Sequence, residues 1–212
     1  MRKIIFIFFT LPFFCTADII DSLKAELRKA NHDTTKLFIL NALTENETNE
    51  NIWPKYNKEM KILAEKNLGS NPDSQLKKIF SKYYGLALNN EGYIYQTQGN
   101  FTLSIEYFKK SLAICETINY KEGIGFSLSN LGLSYNKIGE DMRALEAYEK
   151  VLKIQEETGN TFMLTSALNN IGIIYNQQGN IPKALEFYLK SLKILEQIND
   201  KASMGRLLIN IG

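Results

Sequence analysis

One histidine, His32, and two cysteines, Cys15 and Cys115, are all that this chain has of the side chains that most often bind metals or form nucleophile–base pairs. A single imidazole excludes a multi-histidine metal site and leaves no partner set for a catalytic triad. His32 sits in the polar stretch Asn31-His32-Asp33, which reads as a solvent-exposed turn. There is no Gly-rich loop ending in Lys-Ser/Thr, and Gly123-Ile124-Gly125 lacks the third glycine and the preceding strand of a dinucleotide site. Acidic pairs such as Glu156-Glu157 read as solvated helix surface. The chain is therefore expected to be non-enzymatic, with no cofactor, no metal and no evident small-molecule substrate.

An excess of one charge is also missing. The chain carries 25 Lys+Arg against 23 Asp+Glu. Arg2 and Lys3 precede an apolar run from Ile4 to Phe14, followed by Cys15-Thr16-Ala17. This is the order of a signal peptide: a basic segment, a short apolar segment, and a small residue before a cut after Ala17. The run is 11 residues long and contains Pro12, whereas a spanning helix needs about 20 apolar residues. Residues 1–17 are thus expected to direct export to the periplasm or another extracytoplasmic space. Lipoprotein cleavage at Cys15 is disfavoured by Phe14, where such sites want a small residue. Without residues 1–17 the two charge totals become equal, at 23 each. Balanced charge argues against a nucleic-acid partner, which needs a basic face. Cys115 would then be the only cysteine left, so no internal disulfide can form and the fold must rest on packing.

What the chain has in quantity is a repeat. At a period of 40 residues, Gly92, Gly132 and Gly172 coincide, as do Tyr95, Tyr135 and Tyr175, then Gly99, Gly139 and Gly179. Ser104, Ala144 and Ala184 follow, then Phe108, Tyr148 and Tyr188, then Leu112, Leu152 and Leu192. A fixed period in this range marks a repeat array. Each unit reads as two helices. The first ends at the second glycine of the unit, a left-handed C-cap. Asn100 and Asn180 cap the second helix, and Pro182 fits its first turn. Ile105, Phe108 and Leu112 form one apolar stripe along it. Small residues at 92 and 104 let two helices approach while aromatic residues fill the space beside them. The tyrosine series and Trp53 are expected in the core, and Cys115 as a semi-buried small side chain. A lone helix pair cannot enclose its apolar face, so stacked pairs must share one core.

These columns resemble the tetratricopeptide repeat in its longer, forty-residue form. The family's small and aromatic series falls on Gly132, Tyr135, Ala144, Tyr148 and Val151, and on Gly172, Tyr175, Ala184, Tyr188 and Ser191. The chain departs from the family at two columns, with Leu88, Leu128 and Leu168 in place of tryptophan and Glu116, Glu156 and Glu196 in place of proline. The resemblance implies an all-α solenoid, a right-handed superhelix of antiparallel helix pairs. Repeats are expected at 83–122, 123–162 and 163–202, with a fourth begun at 203–212. Residues 18–82 are expected to form divergent capping helices, over 18–30, 34–42 and 53–67, with 44–51 as a polar loop. The sequons at Asn46 and Asn100 carry little weight, the second being already assigned to a cap.

The resemblance also implies that first helices line a concave face where peptides bind. That face would carry Asn90, Gln96, Asn130, Asn136, Lys137, Asn170, Asn176 and Gln177, beside Asn89 and Asn169. Asparagine inside a helix costs about 0.5 kcal/mol against alanine, so something compensates it. A side-chain amide can bind a peptide backbone, donating and accepting at once, or it can join neighbouring repeats. Both readings stand at this level. Leu86, Phe126 and Ser166 occupy places where basic residues would hold a terminal carboxylate, which disfavours that ligand. The expected function is a protein- or peptide-binding scaffold. The alternative is the extracytoplasmic input domain of a longer bacterial signalling protein (a kinase, cyclase or DNA-binding regulator), because the array stops inside a first helix without a polar cap. In that case a continuation would supply a membrane tether. RNA binding by a helical-repeat array is disfavoured by the charge balance and the period.

Overall fold

The computed structural model describes residues 16–212, and these form ten helices with no strand among the described residues. The expected signal segment lies, over residues 1–15, outside the described residues. Two units are distinguished, residues 1–63 and 64–212.

In the first unit, α1 (Thr16–Lys29), α2 (Asp33–Asn46) and the beginning of α3 (Trp53–Gly69) enclose a small core. Ile20, Ile39 and Leu43 are buried there, with Leu23, Leu27 and Tyr56 packed against them. The polar loop is shorter than expected. Helix α2 continues to Asn46 because polar side chains bond back along it, Thr44 Oγ1 donating to the Leu40 carbonyl and Asn46 Nδ2 to that of Ala42. Trp53 is half-buried rather than a core plug. His32 is exposed, as expected, at the start of α2.

In the second unit the helices alternate: α4 (Ser74–Thr97), α5 (Phe101–Thr117), α6 (Lys121–Lys137), α7 (Asp141–Thr158), α8 (Thr161–Gln177), α9 (Ile181–Gln197) and α10 (Lys201–Ile211). Residue 83, where the first repeat was expected to open, lies inside α4. That helix has 24 residues against 17 in α6 and α8, and Asp73 caps it by accepting from Gln75 N and Leu76 N. The turns use one device. Gly99, Gly139 and Gly179 have φ of 75°, 79° and 73°, and Asn119 and Asn199 take the same left-handed conformation. The residue after each donates its N–H five positions back, as Asn100 does to Tyr95 and Asn180 to Tyr175. This is the Schellman closure, which satisfies otherwise orphaned carbonyls. Asn100, Asn160, Asn180 and Asp200 then cap the following helices.

Two core clusters that meet at Tyr175 run through the helix pairs. Phe108, Tyr148, Val151, Ile171 and Ile174 are all but inaccessible, and Ala184, Tyr188 and Leu195 continue the core beneath Leu207 of α10. Close glycine–ring contacts recur at each repeat. A Cβ built on Gly92, Gly132 or Gly172 would lie 2.6, 2.7 or 2.4 Å from the ring of Phe108, Tyr148 or Tyr188. Of the tyrosine series only Tyr135 is buried. Tyr95 and Tyr175 are half-exposed, because each leans on an aromatic of the following helix, Tyr107 at 5.2 Å and Phe187 at 5.7 Å between centroids. Cys115 is fully buried, more than expected. Burial raises its thiol pKa, with a bond to Ser111 opposing, so it is held as a neutral packing group.

Candidate functional face

Successive first helices touch: α4 packs on α6, and α6 on α8. No comparable contact joins α5 to α7 or α7 to α9 among the described residues. An array whose first helices lie closer together than its second helices curves toward the first-helix side, so the asparagine-bearing side is the concave one.

The structure ties many of the expected face residues to one another. Asn130 Nδ2 donates to Asn89 Oδ1 at 3.2 Å, and one repeat-pair further on Asn210 Nδ2 donates to Asn169 Oδ1 at 2.9 Å. Between them the pattern changes. Ser129 stands where the ladder would want asparagine, its hydroxyl buried with no hydrogen-bond partner, and Asn170 lies instead beside the Tyr148 hydroxyl. Near the helix ends Asn136 Nδ2 lies 2.9 Å from Gln177 Oε1 and 3.0 Å from Asp141 Oδ1. Gln178 Nε2 completes that group by donating to Asp141 Oδ2 at 3.1 Å. Lys137 and Asn176 are exposed beside it, and Asn90 is half-buried.

Gln96 lies below the face. It is 9 % exposed, and its amide donates to Ser134 Oγ at 2.8 Å and to the Asn130 carbonyl at 3.3 Å. Its task is to join repeats. Each inter-repeat bond contributes on the order of 1 kcal/mol, enough to offset the helix cost of an asparagine or glutamine. Much of the amide column is therefore used in stacking, and the side chains left to meet a partner are largely the exposed ones beside it. Two of these are aromatic: Phe126 on α6 is 38 % exposed and Phe162 on α8 is 65 % exposed.

Two features escaped the sequence reading. One is a set of buried serines between helices. Ser104 and Ser134 meet at 2.9 Å, Ser127 Oγ donates to Ser111 Oγ at 2.9 Å, and Ser111 Oγ donates to the Gly85 carbonyl at 2.8 Å. Their signal was serine recurring on the apolar stripes. The other is a cavity of about 400 Å³ between α8, α9 and α10, with Arg206 in its wall. Among the described residues there is no cluster suited to a metal ion, and no helix is long and apolar enough to cross a membrane.

Comparison with known proteins agrees with this architecture. Family models described as tetratricopeptide repeat match residues 83–157 and 165–197, together just over half of the chain. No curated protein sequence matches it significantly. Among solved structures it is similar to BtubC from P. vanneervenii, at 14% identity and a TM-score of 0.72, over 94% of this chain and 82% of that one. Aspartyl phosphate phosphatase F from Bacillus subtilis is similar at 15% identity and a TM-score of 0.74, over 92% of this chain and 50% of that one. A signal-transduction ATPase from Pyrococcus horikoshii, described as having a tetratricopeptide repeat sensor, is similar at 18% identity and a TM-score of 0.70, over 92% of this chain and 29% of that one. The chain thus spans half the length of the second and less than a third of the third, and at these identities the likeness concerns the fold. The in-register repeat columns, the stacked helix pairs and the two family matches lead to one assignment: the chain belongs to the tetratricopeptide-repeat family.

Proposed function

We propose that this protein is a non-enzymatic interaction module that receives a peptide or protein segment along its concave face. The observation that carries this reading is the continuous first-helix surface, on which inter-repeat amide bonds fix the backbone while Phe126 and Phe162 remain exposed. A pre-formed groove with exposed aromatics loses little entropy on binding, and aromatic anchors dominate binding energy in such sites. The test is retention of a partner on immobilised protein. The double variant F126E/F162E is expected to lose at least about tenfold in retained partner, because two charges would replace desolvated aromatic contact. A change on a second helix, K190E, should leave retention intact, since Lys190 pairs with Glu186 in an exposed bond remote from the face. Equal loss in both variants, or in neither, would dispose of the groove reading.

A second reading is favoured by the N-terminal pattern. The basic-apolar-small order of residues 1–17 supports export, and an exported array would serve as the extracytoplasmic input portion of a longer signalling protein. The similarity to a chain described as having a repeat sensor is in keeping with this. Expression in a bacterial host is expected to yield a periplasmic product whose first residue is Asp18, read by mass spectrometry. A cytoplasmic product retaining Met1 would remove the argument for export.

A further inference from the structure

The cavity between α8, α9 and α10 has no counterpart in side-chain filling one repeat earlier. There, Met163 reaches across to Gly125, its Sδ 2.5 Å from where a Cβ would stand, and Phe126 is the next residue. One period on, the same places hold Ser203, Thr165 and Ser166. Methionine and phenylalanine have both given way to serine, and the gain from glycine to threonine only partly offsets this, which leaves a space of about 400 Å³ lined by Leu195, Leu207, Phe162 and Arg206 among others. Its lining mixes Phe162, Leu195 and Leu207 with the polar Thr165, Ser166, Ser203 and Arg206, and it is open to solvent on the concave side of the array.

Arg206 is the fourth member of the column Leu86, Phe126, Ser166, and the only cation in it. Its Nη2 donates to Ser203 Oγ at 2.8 Å, which turns the guanidinium over the cavity wall, and it forms no ion pair among the described residues. The carboxylate in its field, Asp200, is committed to capping α10 through Ser203 N at 3.0 Å. A guanidinium has five N–H donors, and only the bond to Ser203 engages them among the described residues.

We propose that this cavity is the specificity pocket of the groove, and that it seats an acidic side chain internal to a partner segment, with an apolar neighbour lying on Phe162. The inference rests on the groove reading above. Charge complementarity selects the carboxylate, which pairs with arginine in a bidentate and geometrically demanding way. The leucine lining suits the methylene stem of glutamate. A chain terminus is the poorer fit, because no second basic group in the column helps to hold it.

The full 212-residue protein is tested with fluorescein-labelled, C-terminally amidated peptides carrying randomised flanks around a central Glu-Leu, Gln-Leu or Lys-Leu. Anisotropy is expected to show Glu-Leu binding at least about tenfold tighter than Gln-Leu, a charge-assisted difference of about 1.4 kcal/mol. In R206Q that preference should fall below about twofold. S166F, which restores the residue type found at 126, should weaken Glu-Leu by about tenfold without lowering the melting temperature. The pocket assignment is overturned if the Glu-over-Gln preference survives R206Q, if only unamidated peptides bind, or if no Glu-Leu peptide binds. Should R206Q be silent while F126E/F162E still abolishes partner retention, the pocket falls and the groove stands. If both are silent, both fall.

Discussion

Tyr148→Ala is expected to lower the stability of the repeat array by about 3–5 kcal/mol, the range for truncating a large buried aromatic. Tyr148 is 1 % exposed, its ring covers Gly132, and its hydroxyl lies beside Asn170 of the next helix pair. Removing it opens a void in a core that continues into the following pair through Ile171 and Ile174, so nearest-neighbour coupling carries the loss along the array. Tyr148→Phe separates the two contributions. It keeps the ring and removes only the hydroxyl beside Asn170, for an expected cost of at most about 1 kcal/mol. Urea unfolding followed by circular dichroism measures both. The assignment fails if the phenylalanine variant is as damaged as the alanine one. Burial holds this phenol well above its usual pKa, with the Asn170 side chain opposing. Its folded-state pKa exceeds the unfolded value of about 10, so its contribution is complete below that pH and declines only as pH rises above it.

This architecture was readable because its determinants recur. Glycine, small and aromatic columns every 40 residues placed the helix pairs, and the caps at Asn100 and Asn180 and the left-handed turns at Gly99, Gly139 and Gly179 came with them. The N-terminal unit was less legible because its helices share no register with the array. There α2 could be lengthened by back-bonding polar side chains that read as loop. The role of the asparagines could not be read from their spacing. An amide that bonds the next repeat and one that awaits a ligand occupy the same column. The choice between them depends on partners 38 to 41 positions away, such as Ser134 for Gln96 and Asn89 for Asn130. Arg206 was overlooked because it stands in the incomplete fourth copy, where the column it belongs to had already been read as uncharged.

Identical glycine-to-alanine substitutions at two helix positions are expected to act with opposite sign. In Gly172→Ala the new methyl would sit 2.4 Å from Tyr188 Cε1 and 2.6 Å from Cδ1. That ring is 2 % exposed and enclosed by the α8–α9 core, so it cannot swing aside. Relieving the clash means forcing the two helices apart, at about 1–3 kcal/mol for an overpacked site. Against this stands a helix-propensity gain of about 1 kcal/mol; with a ring that cannot move, the clash is expected near the upper end of its range, for a net loss of up to about 2 kcal/mol. In Gly205→Ala nothing lies within 4 Å of the added carbon. Only the propensity term operates there, and α10 should gain about 0.5–1 kcal/mol. The two variants share chemistry and secondary structure, so the sign of the difference between their urea midpoints reports helix approach alone. If Gly172→Ala also stabilises, the first and second helices of this pair are not held in contact by the absence of a side chain, and the packing rule shared by positions 92, 132 and 172 is wrong.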